Sequence, residues 1–283
     1  MTITGTAGQH TDGIDQGEDD PSGKNGVLTG AAIDEKTGPG LLPAGVLWDM
    51  DGTLVDTEPY WIACEYALVA EHGGTWSDEH AHALIGSDLL VSARYIARHG
   101  PVPLPPEEIV ERLLDGVIRR VQEHIPWCPG AAALLAALGE RGVPCALVTM
   151  SYRRLAEAVV EALPPGSFAT LVTGDEVERG KPHPDPYLEA ARRLGVEPAS
   201  CVAIEDSRTG VASAEAAGVP VIAVPGPQPV DPAPRRWLCD SLEGLSPEDL
   251  GRWARTVRDA RRVAPERRDL SPDQTSPGLA RDR

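Results

Sequence analysis

At 283 residues the chain is long enough for one large domain or two smaller ones. Its net charge of −17, from 26 basic against 43 acidic residues, argues against nucleic acid or an anionic membrane as a partner, since both select basic patches, but leaves room for a small anionic ligand in one local positive pocket. The five cysteines (Cys64, Cys128, Cys145, Cys201, Cys239) are scattered without a Cys-x-x-Cys pair, which fits reduced thiols in a cytoplasm. The longest purely apolar run, Ala131–Leu138, is too short to span a bilayer, and no secretory signal opens the chain.

Residues 1–42 are rich in Gly, Thr and Asp and nearly free of large apolar side chains, so they read as a disordered tail. The stretch from about Val263 to Arg283 reads the same way. The folded part opens with an apolar run, Val46-Leu47-Trp48, that reads as a buried strand and ends in Asp49-Met50-Asp51-Gly52-Thr53. Gly52 breaks the strand and lets the backbone turn. Thr57-Glu58-Pro59 then starts a helix, with proline in its first turn. From Tyr60 to about Val121 the pattern is helical throughout. Tyr60–His72 stops at Gly73-Gly74, Ser77 caps Asp78–Ile85, Ser87–His99 stops at Gly100, and Ile109, Leu113, Leu114, Val117, Ile118 and Val121 share one helical face.

After Pro129-Gly130 the texture changes to alternating helix and strand. Helices are expected at Ala131–Arg141, at Tyr152–Leu163 with Ser151 as its cap, at Pro186–Leu194 and at Ser207–Ala217. Strands are expected at Pro144–Thr149, Phe168–Thr173, Cys201–Ile204 and Val219–Val224, with a short last one near Trp237-Leu238-Cys239. This alternation predicts an α/β protein: a doubly wound parallel sheet of Rossmann-like type with an all-helical cap domain inserted after the first strand. The expected organisation is a discontinuous core at 43–56 and 129–250, a cap at 57–128, a helical extension at 251–262 and a tail at either end.

Side chains alternate along a strand, so Asp49 and Asp51 start on the same side, at the carboxyl end where open α/β sheets carry their sites. Two carboxylates that close repel unless a cation or a shared proton intervenes, and a hard ion such as Mg²⁺ suits them. Thr149, Lys181 and Glu205-Asp206 also fall where sheet strands end, so all should converge on one edge. Each has a plain structural alternative. Asp-x-Asp-Gly is common in turns, Thr149 closes a strand, Lys181 suits a solvated surface, and Glu205-Asp206 suits a helix cap. Together, in this order on one edge, they point to a site.

These positions resemble the four motifs of the haloacid dehalogenase superfamily, in its phosphatase branch with a small helical cap. Asp49-Met50-Asp51-Gly52-Thr53 matches the first, Thr149 the second, Lys181 with its prolines the third and Glu205-Asp206-Ser207-x-x-Gly210 the fourth, over about residues 44–245. The resemblance implies a Mg²⁺-dependent phosphatase acting on a small phosphorylated metabolite, such as a sugar phosphate, through an aspartyl-phosphate. It makes Asp49 the nucleophile and Asp51 the acid and base. It has Thr149 and the Met150 N–H hold the phosphoryl oxygens, while Lys181 neutralises phosphoryl charge and holds Asp49 ionised. Mg²⁺ would take an Asp49 oxygen, the Asp51 backbone carbonyl and Asp206, with Glu205 either binding it directly or, the favoured role, orienting its waters.

Two other readings stand beside this one: a β-phosphoglucomutase-like phosphomutase and a non-catalytic module that binds a phosphometabolite. Those mutases carry a histidine twelve residues after the nucleophile and an arginine three residues after a cap glycine. Here the positions are Trp61 and, after Gly86, Leu89. A binding module has no need of the acid/base Asp51. In the cap, Trp61, Glu65, His80, His82, Arg94 and Arg98 are the candidates for touching substrate, while His183 reads as a solvent-facing loop histidine. The expected partners are a small phosphorylated metabolite, no nucleic acid and no membrane. The expected state is a cytoplasmic monomer or weak homo-oligomer.

Overall fold

The computed structural model describes residues 42–263, so both expected tails fall outside the described residues apart from their border positions. Within them the order is β1 (Gly45–Trp48), α1 (Glu58–Glu71), α2 (Asp78–His82), α3 (Leu89–His99), α4 (Pro106–Glu123), α5 (Ala131–Glu140), β2 (Cys145–Val148), α6 (Arg153–Val160) and β3 (Thr170–Val172). There follow α7 (Asp185–Leu194), a 3-10 turn at Pro198–Ser200, β4 (Cys201–Glu205), α8 (Arg208–Ala216), β5 (Val221–Ala223), β6 (Arg236–Leu238) and α9 (Pro247–Val263).

The six strands form one parallel sheet in the order β3-β2-β1-β4-β5-β6. β1 is central. Val46 pairs with Cys145 on one side and Val202 on the other, so the strands end in step and their carboxyl ends share an edge. The sheet carries apolar layers on both faces, as a parallel sheet requires. Val46, Trp48, Leu147 and Ile204 point to the side packed with α5 residues Leu134 and Leu138 and α9 residue Leu250. Leu47, Ala146, Val148 and Ala203 point to the side packed with Tyr187 and Ala190 of α7 and Val211 and Ala214 of α8. The odd-even split along β1 is the period of two made visible, and all four of its residues are fully buried.

Helices α1 to α4 lie between β1 and α5. α4 carries the apolar face read from the sequence, burying Ile109, Leu113, Leu114, Val117 and Val121, while Ile118 is half-buried. Gly116 lets α1 come close: a Cβ there would stand 2.6 Å from the Cys64 sulfur. The helical insertion leaves and rejoins the core at one place, where the Asp56 N–H donates to the Pro126 carbonyl (2.8 Å) and the Cys128 N–H to the Leu54 carbonyl (3.0 Å). Arg154 on α6 forks onto Glu111 and Asp115 of α4. No helix among the described residues is long and apolar enough to cross a membrane.

Several local expectations are corrected. α2 stops at His82 instead of reaching Ile85. Asp88, not Ser87, caps α3, its Oδ1 accepting from the Leu90 and Val91 N–H groups. Ser151 does not cap α6. The cap position belongs to Tyr152, without a side-chain bond, because the Ser151 hydroxyl is engaged elsewhere.

Candidate active site

Asp49 follows β1 directly. Its N–H continues the sheet by donating to the Ile204 carbonyl (3.0 Å), and its side chain is buried. The chain then turns at Gly52, whose φ of +87° favours glycine, and Leu54 and Val55 close the turn by donating to the Met50 carbonyl. Gly52 also clears space: a Cβ would stand 2.2 Å from Asp206 Oδ2. Asp206 follows β4 and accepts weakly from the Thr53 hydroxyl at 3.4 Å.

Lys181 joins these elements. Its side chain is only 4% exposed, and all three ammonium donors are engaged: Asp49 Oδ1 at 2.6 Å, Glu205 Oε1 at 2.6 Å and the Val148 carbonyl at 2.8 Å. Glu205 is fully buried and completely used. Oε1 also accepts from the Tyr187 hydroxyl (2.6 Å), and Oε2 accepts from the Ser207 hydroxyl (3.1 Å). Gly210 makes room for it, since a Cβ there would fall about 1.9 Å from Oε1. The Ser207 hydroxyl also accepts from the Gly210 N–H and so caps α8.

Asp51 faces a different set of partners. Thr57 donates its hydroxyl to Oδ1, and Thr149 (3.1 Å) and Ser151 (2.8 Å) donate theirs to Oδ2. Three hydroxyls from two segments thus fix a half-buried carboxyl at the floor of a cleft of about 1120 Å³. The Thr149 hydroxyl in turn accepts from the Ser151 N–H.

The charges are unbalanced. Asp49, Glu205 and Asp206 can each bring an oxygen within 4.8 Å of the others, with one ammonium among them. Burial pushes Asp49 well above the usual carboxylate range; the Glu205 charge adds to this and Lys181 opposes it. Asp206 is pushed up to about 7, by burial first and then by Glu205. Burial works against the Lys181 ammonium, but the Asp49 and Glu205 carboxylates more than offset it and hold its pKa above the ordinary lysine value. A cluster of hard oxygen donors with surplus negative charge is what a small divalent cation needs.

The structure therefore brings Asp49, Asp51, Thr149, Lys181, Glu205 and Asp206 together on one edge. Met150, Trp61 and Glu65 line the same cleft. His80, His82, Arg94 and Arg98 do not line it: His80 stacks on Trp76 (4.6 Å between centroids), and the other three are exposed. His183 is half-buried against Asp185 (3.0 Å), not free in solvent. Sequence reasoning missed Ser151 and Tyr187. The two-residue spacing Thr149-x-Ser151 was an available signal, because it puts both hydroxyls on one side of an extended segment. Tyr187, buried mid-face on α7, gave none.

An acid cluster, a buried lysine and a separately held acid suit one class of chemistry on a doubly wound scaffold, the hydrolysis of a phosphomonoester. The model of the haloacid dehalogenase-like hydrolases matches residues 43–218, and the chain belongs to that family. Hexitol phosphatase B of Escherichia coli (strain K12) is 34% identical over 214 residues, which are 72% of this chain and 95% of that protein. CbbY from Rhodobacter sphaeroides in complex with phosphate shares 30% identity and a TM-score of 0.66 over 74% of this chain and 99% of its own. A mutant of that CbbY in complex with xylulose-(1,5)bisphosphate gives 29% and 0.64 over 72% and 96%.

Proposed function

We propose that the protein is a Mg²⁺-dependent phosphatase that hydrolyses a small phosphomonoester, a sugar phosphate or related metabolite, through an aspartyl-phosphate on Asp49. The observation that carries this reading is the division of labour between two carboxyls two residues apart. Asp49 sits among charges, paired with Lys181, while Asp51 sits among hydroxyls. A nucleophile must be ionised, and an acid must be oriented towards the bond it serves.

The donor set fits Mg²⁺: carboxylate oxygens only, close together, with Gly52 leaving room for Asp206 to reach the same spot. Asp49, Asp206 and the Asp51 backbone carbonyl would hold the ion. Glu205, whose oxygens are spent on Lys181, Tyr187 and Ser207, would stand behind it. Bound there, Mg²⁺ supplies positive charge that lets an anionic carboxylate approach an anionic phosphoryl group.

The protein's own residues perform the rest. An Asp49 oxygen attacks phosphorus and the P–O bond to the alcohol breaks, while Asp51 gives the leaving alkoxide its proton. Asp51 then takes a proton from the water that attacks the aspartyl-phosphate, and inorganic phosphate leaves. Thr149 and the Met150 N–H hold phosphoryl oxygens at the start of α6. Lys181 keeps Asp49 ionised and in place. Residues 57–128 act as a cap that closes on the core of 43–56 and 129–250 and excludes water, with 251–262 as a helical extension. Trp61 and Leu89 line the cleft. A β-phosphoglucomutase-like mutase would carry a histidine and an arginine at these positions, and their replacement favours transfer to water over transfer to a second hydroxyl. A cytoplasmic setting fits the scattered thiols.

The test is phosphate release from phosphorylated metabolites with Mg²⁺ and with EDTA. Metal-dependent release is expected. An isomerised product without free phosphate, or no reaction with folded protein, would overturn the reading.

A further inference from the structure

The cleft has two walls of different character. The core side carries the catalytic acids, Lys181 and Arg208. The insertion contributes Glu58, Trp61, Glu65 and Trp127, aliphatic residues such as Ile62 and Leu89, and no lysine, arginine or histidine. The part of a substrate that points away from phosphorus therefore meets two indoles, aliphatic surface and two carboxylates.

Glu65 is built into this wall. It is only 5% exposed, and its Oε2 accepts from the Trp76 indole N–H at 3.1 Å, which fixes its orientation. Trp76 is itself clamped by the stack with His80 and the edge contact with Tyr95. A buried carboxylate held from behind by one indole has acceptor capacity left for donors in the cleft. Ser92, also lining the cleft, adds a hydroxyl.

Neither cation on the core side belongs to the wall that the leaving group meets. The Lys181 donors are all taken. Arg208 opens α8, two residues after Asp206, on the phosphoryl side, with its Nε donating to the Pro229 carbonyl (2.7 Å). A second phosphate or a carboxylate on the leaving group would lie against Glu58 and Glu65 without a counter-charge, and like charges in a partly dry cleft cost affinity steeply.

We propose that this cleft selects singly phosphorylated substrates whose leaving group is an uncharged polyol, and that Glu65 reads the hydroxyls of that group. The inference rests on the phosphatase reading and narrows it. The polyol's hydroxyls donate to Glu65, and its CH surface lies on Trp61. Discrimination comes from repulsion as much as from attraction: a doubly anionic substrate is refused by the wall, not merely unassisted.

The experiment measures kcat/KM with Mg²⁺ for sorbitol 6-phosphate, fructose 1,6-bisphosphate, phosphoglycolate and p-nitrophenyl phosphate, for the wild type and Glu65→Gln. It is run at pH 8, above the value of about 7 to which burial raises both Glu58 and Glu65. The wild type is expected to favour sorbitol 6-phosphate by roughly tenfold or more over the two anionic compounds. Glu65→Gln is expected to lower kcat/KM for sorbitol 6-phosphate roughly tenfold more than for p-nitrophenyl phosphate, which has no hydroxyls to read. Anionic compounds turned over as well as the polyol phosphate, or equal losses on both esters in the variant, would overturn the inference and leave the phosphatase reading intact. No phosphate from any compound would overturn both.

Discussion

Replacing Lys181 with alanine tests how the site is held together. The ammonium is 4% exposed and makes two 2.6 Å bonds to carboxylates that are themselves nearly or fully buried. Without it, Asp49, Glu205 and Asp206 keep their mutual proximity and lose the ammonium that Asp49 and Glu205 pair with. Stripping one partner from a buried ion pair costs about 3–5 kcal/mol, because the remaining charge is left uncompensated. A fold of this size melts about 2–4 °C lower per kcal/mol lost, so Lys181→Ala in EDTA should melt roughly 6–20 °C below the wild type. A divalent ion in the same cluster opposes the loss. At a concentration about 100 times its Kd it returns roughly 2.7 kcal/mol, so Mg²⁺ should recover part of the drop. The assay is a thermal melt of both proteins in EDTA and in saturating Mg²⁺. A variant that melts within about 2 °C of the wild type in EDTA would refute the reasoning, since it would mean the carboxylates need no cation. Lys181→Met, which keeps the apolar stem packed near Tyr187, separates loss of charge from loss of volume and should melt nearly as low as Lys181→Ala.

The remaining predictions concern turnover and pH. Asp49→Asn should abolish phosphate release while leaving the protein folded; substantial residual turnover would sink the covalent route. Ser151→Ala removes one of three hydroxyl donors to Asp51, worth about 1 kcal/mol, and should lower kcat roughly fivefold with little change in KM; an unchanged kcat would mean that the bond does not matter to the acid. Asp49 and Asp206 have folded-state values raised above those of the unfolded chain, so in EDTA the folded state binds more protons at intermediate pH. The stability Asp206 contributes is present at low pH and is lost as pH rises through about 7, and Asp49 acts in the same direction, so the metal-free melting temperature should climb from pH 8 to pH 5.5, and Mg²⁺ should flatten that slope. Melting curves across that range check it, and a fall on acidification in EDTA would contradict it.

The sheet was legible because its signal is local. Strands such as Val46-Leu47-Trp48 and Val202-Ala203-Ile204 are continuous apolar runs bounded by breakers, and parallel pairing then brings their ends to one edge. The hydroxyls around Asp51 show where such reading stops. Thr57 and Ser151 both stand where a helix begins, and a hydroxyl there ordinarily accepts from the first-turn N–H groups. Both instead donate to Asp51, which is six residues from Thr57 and 100 from Ser151. A cap and an acid's ligand look alike in sequence, because the same residue types at the same helical position serve either purpose. The Tyr187 hydroxyl raises the same difficulty. Its ring belongs to the apolar face of α7, and only the tertiary approach of Glu205 gives its oxygen a task. The cap wall was the least legible part. The charged residues that reach the cleft, Glu58 and Glu65, differ from those that do not, such as Arg94 and Arg98, only in how four helices are rotated against each other.

The bonds that tie Asp56 to Pro126 and Leu54 to Cys128 make the insertion's two ends a single attachment. To the sheet, everything between them is one long loop that departs and returns at the same point. Evolution can therefore exchange what hangs there, its length, its helices and the chemistry of its inner wall, without disturbing the strand that carries Asp49. The bond-breaking machinery and the part that chooses the molecule to be broken can change on separate clocks.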